Sequence, residues 1–350
     1  SNIVNFKNII INGDMSIAQR GTSVTGITSG GYKTIDRFPL NLDLGTWTQS
    51  QSTDVPTGQG FAKSFKMDCT TANASPSAAI LAAVRTKIEG QNLQYLKKGT
   101  SSAESTTLSF WVKSNKTGTY ICELIDNDNS RQISQAYTIS SASTWEKKTI
   151  TFDGDTTGAF GNDNGASLEL HFWLGGGTDY TSGTLSTSWS SITQANRAVG
   201  QVNLADSTSN EWYVTGVQLE AGTTASEFEF LPVDVNLQRC QRYYEKSYNL
   251  SVAPGTITEI GQSRFFYANT TSGYQGGNIT FSVKKRTSAT ITSYAPTTGA
   301  SGNANYFVFG SSTSVGSVTI QQQSERCFNY YGNGISCDSS GLQYTADAEL

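Results

Sequence analysis

The chain offers little of the chemistry on which most enzymes depend. Its single histidine, His171, would have to serve any histidine-dependent triad or multi-histidine metal site alone. The surrounding LELHFWLG alternates like a strand, so we interpret His171 as a structural residue on a sheet face. Paired carboxylates are the remaining catalytic option, with Glu227 and Glu229, or Asp153 and Asp155, as candidates. Neither pair is predicted to converge, and the sequence therefore favours a protein that is not an enzyme.

Charge and long apolar runs are also scarce. Charged residues make up 15% of the chain, its net charge is −4, and basic residues cluster only at Lys284, Lys285 and Arg286. Nucleic-acid binding requires a basic surface that neutralises phosphates, so we do not expect this chain to bind nucleic acid. No apolar run approaches the length of a membrane span, and the N-terminal residues lack the pattern of a signal peptide. We therefore expect a protein that does not insert into a membrane and that is made without a conventional export signal.

The five cysteines do not form the close pairs of a zinc or redox site. Their odd number is typical of buried thiols made in a reducing compartment, and this is the interpretation that we prefer. A disulfide between Cys327 and Cys337 stays open, because a loop of that size can be closed.

Glycine, aromatic and small polar residues are abundant, as expected of short strands joined by polar turns. The chain has 34 Gly, 16 Tyr and 16 Phe, and segments such as 107–113 (TLSFWVK) alternate with period two. Many such segments with glycine-rich turns predict an all-β fold, an antiparallel jelly-roll sandwich over residues 1–231. Residues 249–350 are expected to form a smaller C-terminal β domain, a knob or tip, with a hairpin in 278–296.

The stretch between these domains changes period. Apolar or aromatic residues recur at steps of four, three and four, which predicts a short linking helix over 232–248 with one apolar face. That face comprises Val233, Leu237, Cys240 and Tyr244. It is a candidate seam of a homotrimer, although packing on the chain's own sandwich explains the pattern equally well.

Several motifs carry a resemblance to known proteins. NIIINGDM followed by QRG near the start, VQLEAG, FEF and CQRYYEKSY in the middle, and YTADAEL at the end resemble bacteriophage tail-fibre and other virion structural proteins. The predicted jelly roll is similar to non-catalytic carbohydrate-binding modules. The resemblance implies a virion component that is assembled in the host cytoplasm.

Two kinds of binding site are predicted by local sequence. Trp47, Tyr180 and Trp189 lie in or beside polar, glycine-rich segments, so they are candidates for stacking on sugars or for contacts with a neighbouring chain. By contrast, Trp111, Trp173 and Trp212 lie in strand patterns that predict core positions.

Acidic turns are the second candidate. Asp126 and Asp128, and Asp153 and Asp155, have the alternate spacing of oxygen ligands that suits calcium. No stretch has the complete pattern of a calcium-binding loop, so solvated turns are the favoured interpretation. No cofactor is expected, and a structural calcium ion stays open as the alternative.

These observations combine into one functional hypothesis. We predict a non-enzymatic, homotrimeric tail fibre or appendage that attaches to host-surface glycans through several weak contacts and binds other tail or capsid proteins. The alternatives are a capsid decoration or cement protein that binds the coat lattice and, less favoured, a glycan-degrading tailspike.

Overall fold

The computed structural model describes residues 6–267, 273–308 and 313–350. The chain divides into two compact units. The first comprises Ser1–Ala18, Thr22–Val233 and Leu350, and the second comprises Gln19–Gly21 and Asp234–Glu349. Among the described residues, no helix has both the length and the apolar character that a membrane span requires.

The first unit is an antiparallel β-sandwich. In chain order its strands are β1 (Ser23–Ile27), β2 (Leu40–Leu42), β3 (Thr46–Ser52), β4 (Ser64–Thr71), β5 (Leu81–Glu89), β6 (Thr106–Ser114), β7 (Gly118–Asp126), β8 (Arg131–Ile139), β9 (Glu146–Phe152), β10 (Ala166–Gly176), β11 (Ser190–Ser191) and β12 (Glu211–Ala221). The first sheet has the order β1-β3-β4-β12-β6-β9, and the second has the order β11-β8-β7-β10-β5-β2. The predicted all-β jelly-roll fold is confirmed.

Alternation along each strand builds the core between the two sheets. In β6, Leu108, Phe110 and Val112 are fully buried in this core, which leaves Ser109 and Trp111 on the opposite, outer face. Burying apolar area of this kind is the main stabilising contribution in such a sandwich. The same alternation decides which side chains of the first sheet are available for a binding site.

A connection covers the outer face of the second sheet. It includes helix α1 (Thr178–Thr181) and a 3₁₀ turn at Gln194–Asn196. Trp173 of β10 is fully buried beneath this connection in a satellite cluster with Leu81, Ala83, Ile121 and Ala198. Other 3₁₀ turns of the unit are Gly90–Asn92, Gln94–Leu96 and Leu204–Asp206.

The second unit is built around its last strand. Helix α2 spans Val233–Gln241 and is followed by the strands β13 (Tyr244–Lys246), β14 (Ser263–Phe266), β15 (Gly273–Thr280), β16 (Thr290–Tyr294), β17 (Asn303–Phe307), β18 (Ser314–Ser317), β19 (Thr319–Gln321), β20 (Cys327–Ile335) and β21 (Ser339–Asp347). Strand β21 pairs with β13, β14, β16 and β17. A separate three-stranded sheet has the order β15-β20-β19.

Two local predictions for this part of the chain are wrong. The helix ends at Gln241, so Tyr244 lies in a strand and not on the helical face. The expected hairpin in 278–296 does not form, because β15 pairs with β20 and β16 pairs with β21. In both cases a distant strand supplies hydrogen bonds that a local pattern cannot reveal.

Candidate functional site

An aromatic groove lies on the outer face of the first sheet. It encloses about 230 Å³, and Phe61, Trp111, Phe228 and Phe230 are the aromatic side chains around it. Its polar lining is Gln59, Ser109, Lys147 and Glu227. We call these eight residues the aromatic groove. A concave site with aromatic walls and a few polar groups is the usual form of a small-ligand site.

Three phenylalanine rings form the wall of the groove. The ring centroids of Phe61, Phe228 and Phe230 lie 4.8–5.1 Å apart, a normal separation for aromatic contacts. Phe230 is 50% exposed, so half of its surface is open to solvent. The wall therefore has an exposed ring supported by two others.

Glycine makes room for the rings. Gly216 has a φ of +62°, and a Cβ atom there would lie 2.6 Å from the Phe61 ring. It occupies the irregularity in the pairing of β12 with β6, between Thr215 and Gln218. A bulge of this kind commonly redirects side chains next to functional sites.

The motif FEF supplies two of the rings. Phe228 and Phe230 line the groove, whereas the carboxylate of Glu229 between them accepts a hydrogen bond from the backbone N–H of Asn8 at 2.9 Å. The backbone N–H of Glu229 donates to the side chain of Gln218 at 2.9 Å. These contacts fix the segment over the sheet. The Glu229 carboxylate is held by Asn8, whereas Glu227 lines the groove. The two carboxylates therefore do not face each other as a paired-carboxylate site requires.

The polar side chains of the groove are available for a ligand. Gln59, Lys147 and Glu227 are all exposed, and none of the three side chains has a hydrogen bond or ion pair with another described residue. Lys147 stands opposite Trp111 in the pairing of β9 with β6. The groove therefore combines ring faces with unpaired donors and acceptors of both charge signs.

Only part of the predicted aromatic set is accessible. Trp47 is fully buried and donates its indole N–H to the carbonyl oxygen of Leu44 at 2.6 Å, so its prediction as an exposed platform is wrong. It faces the core because Trp47 and Gln49 share the buried face of β3. Trp173 and Trp212 are fully buried as predicted. Trp111 is half-buried in the groove, and its prediction as a core residue is wrong.

The other two predicted aromatics are half-buried and tied to neighbours. Tyr180 lies 5.4 Å from the Trp173 ring and belongs to the satellite cluster beneath α1. Trp189 donates its indole N–H to the carbonyl oxygen of Asp153 at 2.7 Å and packs against the main core. Neither residue lines the aromatic groove.

The ammonium group of a lysine lies between two of the predicted calcium ligands. The ammonium group of Lys98 lies 2.5 Å from Asp126 and 3.1 Å from Asp155, and its side chain is 4% exposed. It also donates to the carbonyl oxygens of Thr157 and Gly158, at 2.9 and 2.8 Å. Four oxygen acceptors thus surround an ammonium ion at the candidate calcium position. For Asp126 and Asp155 the favoured interpretation as solvated turns is wrong, because both are buried, and a lysine lies where the alternative placed calcium.

Neighbouring groups complete this buried charge cluster. Arg131 binds both carboxylate oxygens of Asp155, at 2.6 and 3.0 Å. Burial raises the pKa of Asp155, but hydrogen bonds from Arg131, the Thr157 backbone and Lys98 outweigh it and hold this pKa below the ordinary value. Asp128 and Asp153 are exposed. Within the described ranges, no group of three or more histidine, cysteine or acidic residues is arranged to hold a metal.

His171 lies in a second buried charge cluster, beneath the connection that covers the second sheet. Its Nε2 atom is 2.8 Å from the carboxylate of Glu169, and Nδ1 lies 3.9 Å from Glu123. Glu123 in turn accepts two hydrogen bonds from Arg197 and one from the indole N–H of Trp173. His171 is 2% exposed, so this cluster binds the covering connection to the sheet and offers no open site.

Two of the four residues of the predicted trimer seam are buried within the chain. Cys240 is fully buried and Tyr244 is 5% exposed, so neither can meet a copy of itself on a threefold axis. Leu237 is half-buried, and Val233 is 62% exposed. Cys327 and Cys337 are free thiols, and the disulfide left open by the sequence is not formed.

Comparison with known protein families gives no match, and comparison with characterised proteins gives none either. The solved structures that match this chain include carbohydrate-binding modules and a phage tailspike domain. The enzymatically active domain of bacteriophage CBA120 tailspike protein 4 is 16% identical with a TM-score of 0.33, over 62% of this chain and 22% of that chain.

Two carbohydrate-binding proteins illustrate the remaining matches. The family 11 carbohydrate-binding module of Clostridium thermocellum, solved with a mixed-linked tetrasaccharide, is 11% identical with a TM-score of 0.28, over 59% of this chain and 99% of that chain. The N-terminal cellulose-binding domain of Cellulomonas fimi β-1,4-glucanase C is 12% identical with a TM-score of 0.28, over 59% and 99% of the two chains. At these identities and scores, the similarity carries no conclusion about what this chain binds.

Proposed function

We propose that the chain is a non-enzymatic, glycan-binding structural protein of a bacteriophage appendage, and that the aromatic groove is its sugar site. The observation that carries the proposal is the exposed ring of Phe230, supported by Phe61 and Phe228 and facing unpaired polar side chains. The C–H faces of a pyranose pack on aromatic rings, while its hydroxyl groups need donors and acceptors at the rim. The groove supplies both.

Point variants in the groove test the binding role. Phe230→Ala and Trp111→Ala should each weaken binding of the best neutral oligosaccharide on a glycan array by about fivefold, since an aromatic contact contributes about 1 kcal/mol. Isothermal titration measures the dissociation constant. Trp145→Ala is the matched control, because Trp145 is another half-buried tryptophan, directly before β9 of the first sheet, but lies outside the groove. Equal affinity in all four proteins would refute the assignment.

The virion part of the proposal is supported by the sequence motifs. Several of them meet in the second unit: Gln19 donates to the carbonyl oxygen of Tyr244 at 2.7 Å, and Arg20 pairs with Asp347 at 3.1 Å and with Glu349 at 3.3 Å. Residues of the opening QRG therefore contact both the central CQRYYEKSY and the terminal YTADAEL. Reconstruction of the virus particle tests the location, with density in a tail appendage expected; density on the capsid lattice would favour a decoration protein.

Assembly into a homotrimer is part of the same proposal. Several copies on a particle would multiply weak contacts to repeating surface sugars. With Cys240 and Tyr244 buried in the chain, only Val233 and Leu237 of the original seam remain for contacts between copies. Light scattering should give a trimeric mass that falls in Leu237→Asp; an unchanged trimer would limit α2 to a role within one chain.

A further inference from the structure

A second exposed aromatic surface lies in the C-terminal unit, far in sequence from the aromatic groove. Phe266, the last residue of β14, is 70% exposed. Alternation along this strand turns Phe265 toward the core of the unit and places Arg264 and Phe266 on the outer face. An apolar ring with so much exposure has almost no folding role, because it is hardly removed from water.

Strand register places a second ring and a hydroxyl group beside Phe266. Ser339 of β21 stands between Phe266 of β14 and Phe307 of β17, since it pairs with both. Residues directly opposite one another share a sheet face, so the three form one row across the surface. Arg264 pairs with Gly341 in the adjacent row. A Cβ atom at Gly341 would lie 2.4 Å from the side-chain oxygen of Gln262, so this position is filled by a neighbouring side chain.

The guanidinium group lies between the two rings. Its central carbon is 4.0 Å from the Phe307 ring centroid and 5.3 Å from that of Phe266, both within the range of cation–π contacts. Its Nε and Nη2 atoms donate to the hydroxyl oxygen of Ser339, at 3.2 and 3.1 Å. Ser339 is 2% exposed, so a buried hydroxyl fixes the orientation of an exposed arginine.

One edge of this arginine has no partner. Arg264 forms no ion pair with a carboxylate among the residues that the structure describes, and both of its hydrogen bonds go to the Ser339 hydroxyl. Ser339 occupies the Nε–Nη2 edge and leaves the Nη1–Nη2 edge for another acceptor. Two parallel N–H donors at such an edge match the two oxygens of a carboxylate.

We propose that Arg264, Phe266 and Phe307, oriented by Ser339, form a binding site for a carboxylated sugar, such as a uronic or sialic acid residue. The carboxylate would accept two hydrogen bonds from the free guanidinium edge, and the pyranose would pack on the exposed ring of Phe266. The inference takes from the proposed function only that the ligand is a glycan. It assigns the C-terminal unit selectivity for acidic sugars, which the aromatic groove, with one unpaired cation and one unpaired anion, does not provide.

Acidic sugars paired with neutral counterparts test this assignment. We would titrate the whole protein with trigalacturonate and its methyl ester, and with sialyllactose and lactose. At least one acid should bind about tenfold or more tightly than its neutral partner. Arg264→Gln should abolish that preference, and Phe266→Ala should weaken binding of the acid about tenfold. Because Arg264 and Phe266 are exposed, both variants should fold and give the circular dichroism spectrum of the unmodified protein.

The matched control is Arg326→Gln. Arg326 is also an exposed arginine of the second unit, but it contacts no aromatic ring among the described residues, so this variant should keep the preference for the acid. Equal binding of every acid and its neutral partner, or an unchanged preference in Arg264→Gln, would overturn the inference.

Comparison with the groove separates the two proposals. If Trp111→Ala removes all glycan binding while Arg264→Gln removes none, the result would support the groove and refute the acidic-sugar site. Loss of the acid preference in Arg264→Gln, together with unchanged binding in Trp111→Ala, would support the acidic-sugar site and refute the groove.

Discussion

Replacing Lys98 with methionine should cost the first unit much of its stability. Methionine keeps the length and apolar character of the side chain but removes the ammonium ion from its four oxygen acceptors. Asp155 keeps its two hydrogen bonds from Arg131. Asp126 has no exposed surface, and it would retain only the backbone and side-chain N–H groups of Asn129. A buried carboxylate would thus lose its counter-ion.

The expected cost follows from that loss. Removing one partner of a buried ion pair typically destabilises a protein by about 3–5 kcal/mol, because the remaining charge stays buried. We therefore expect Lys98→Met to lower the free energy of unfolding by about 3 kcal/mol. For a domain of this size, the melting temperature should fall by roughly 6–12 °C. Urea and thermal unfolding followed by circular dichroism measure both quantities.

The neighbouring lysine provides the control. Lys97 has a 46% exposed side chain and pairs with Glu104 at the surface, so Lys97→Met should change stability by less than about 0.5 kcal/mol. Adding Asp126→Asn to Lys98→Met should recover part of the loss, since the buried charge is then removed. If Lys98→Met were as stable as Lys97→Met, or if excess EDTA lowered the melting temperature of the unmodified protein, the ammonium ion would not be the structural cation of this site.

Three further changes probe other parts of the structure. Gly216→Ala should destabilise the protein by about 1–2 kcal/mol and weaken glycan binding, since its Cβ would meet Phe61; Gly222→Ala, also at positive φ but with no atom within 4 Å of the place that its Cβ would take, should leave glycan binding unchanged. Burial raises the pKa of Glu169, but its histidine partner and nearby cations lower it to about 2 from 4.5, so up to about 3 kcal/mol of stability should be lost as pH falls from 4.5 to 2; urea unfolding of Glu169→Gln should show a smaller loss over that interval. Hydrogen bonds hold the pKa of Cys327 below its ordinary value, so iodoacetamide should label it first, and mass spectrometry without reductant should find five alkylated cysteines after denaturation; a protected Cys327 or a missing pair of labels would contradict this.

The fold class was predictable because buried and outward-facing residues alternate along the strands of the sandwich, which gives the sequence a period of two. In TLSFWVK, the buried Leu108, Phe110 and Val112 alternate with outward residues. Pairing between distant strands leaves no such local signal. Strands β20 and β21 were not predicted, although β21 is central to the second unit, because its SSGLQYTAD sequence has few apolar residues and is buried through its position between other strands.

The aromatic groove could be predicted only in part. The phase of alternation in β6 places Trp111 on the outer face, whereas its presence in a strand pattern alone had predicted a core position. No local rule brings Phe61 to Phe228 and Phe230, because the contact depends on the bulge at Gly216 and on the path of the segment after β12. Similarly, alternate aspartates indicate a cation site, but not that a lysine from another segment supplies the charge.

The central claim is that a glycan binds in the aromatic groove, and fluorine NMR tests it most directly. The chain has six tryptophans, which can all be replaced biosynthetically with 5-fluorotryptophan, and Trp111→Phe identifies the groove resonance. Titration with the best oligosaccharide from a glycan array should shift the Trp111 resonance and leave the buried Trp47, Trp173 and Trp212 unchanged. Saturable binding that shifts another tryptophan, such as Trp189, and leaves Trp111 unmoved would contradict the account.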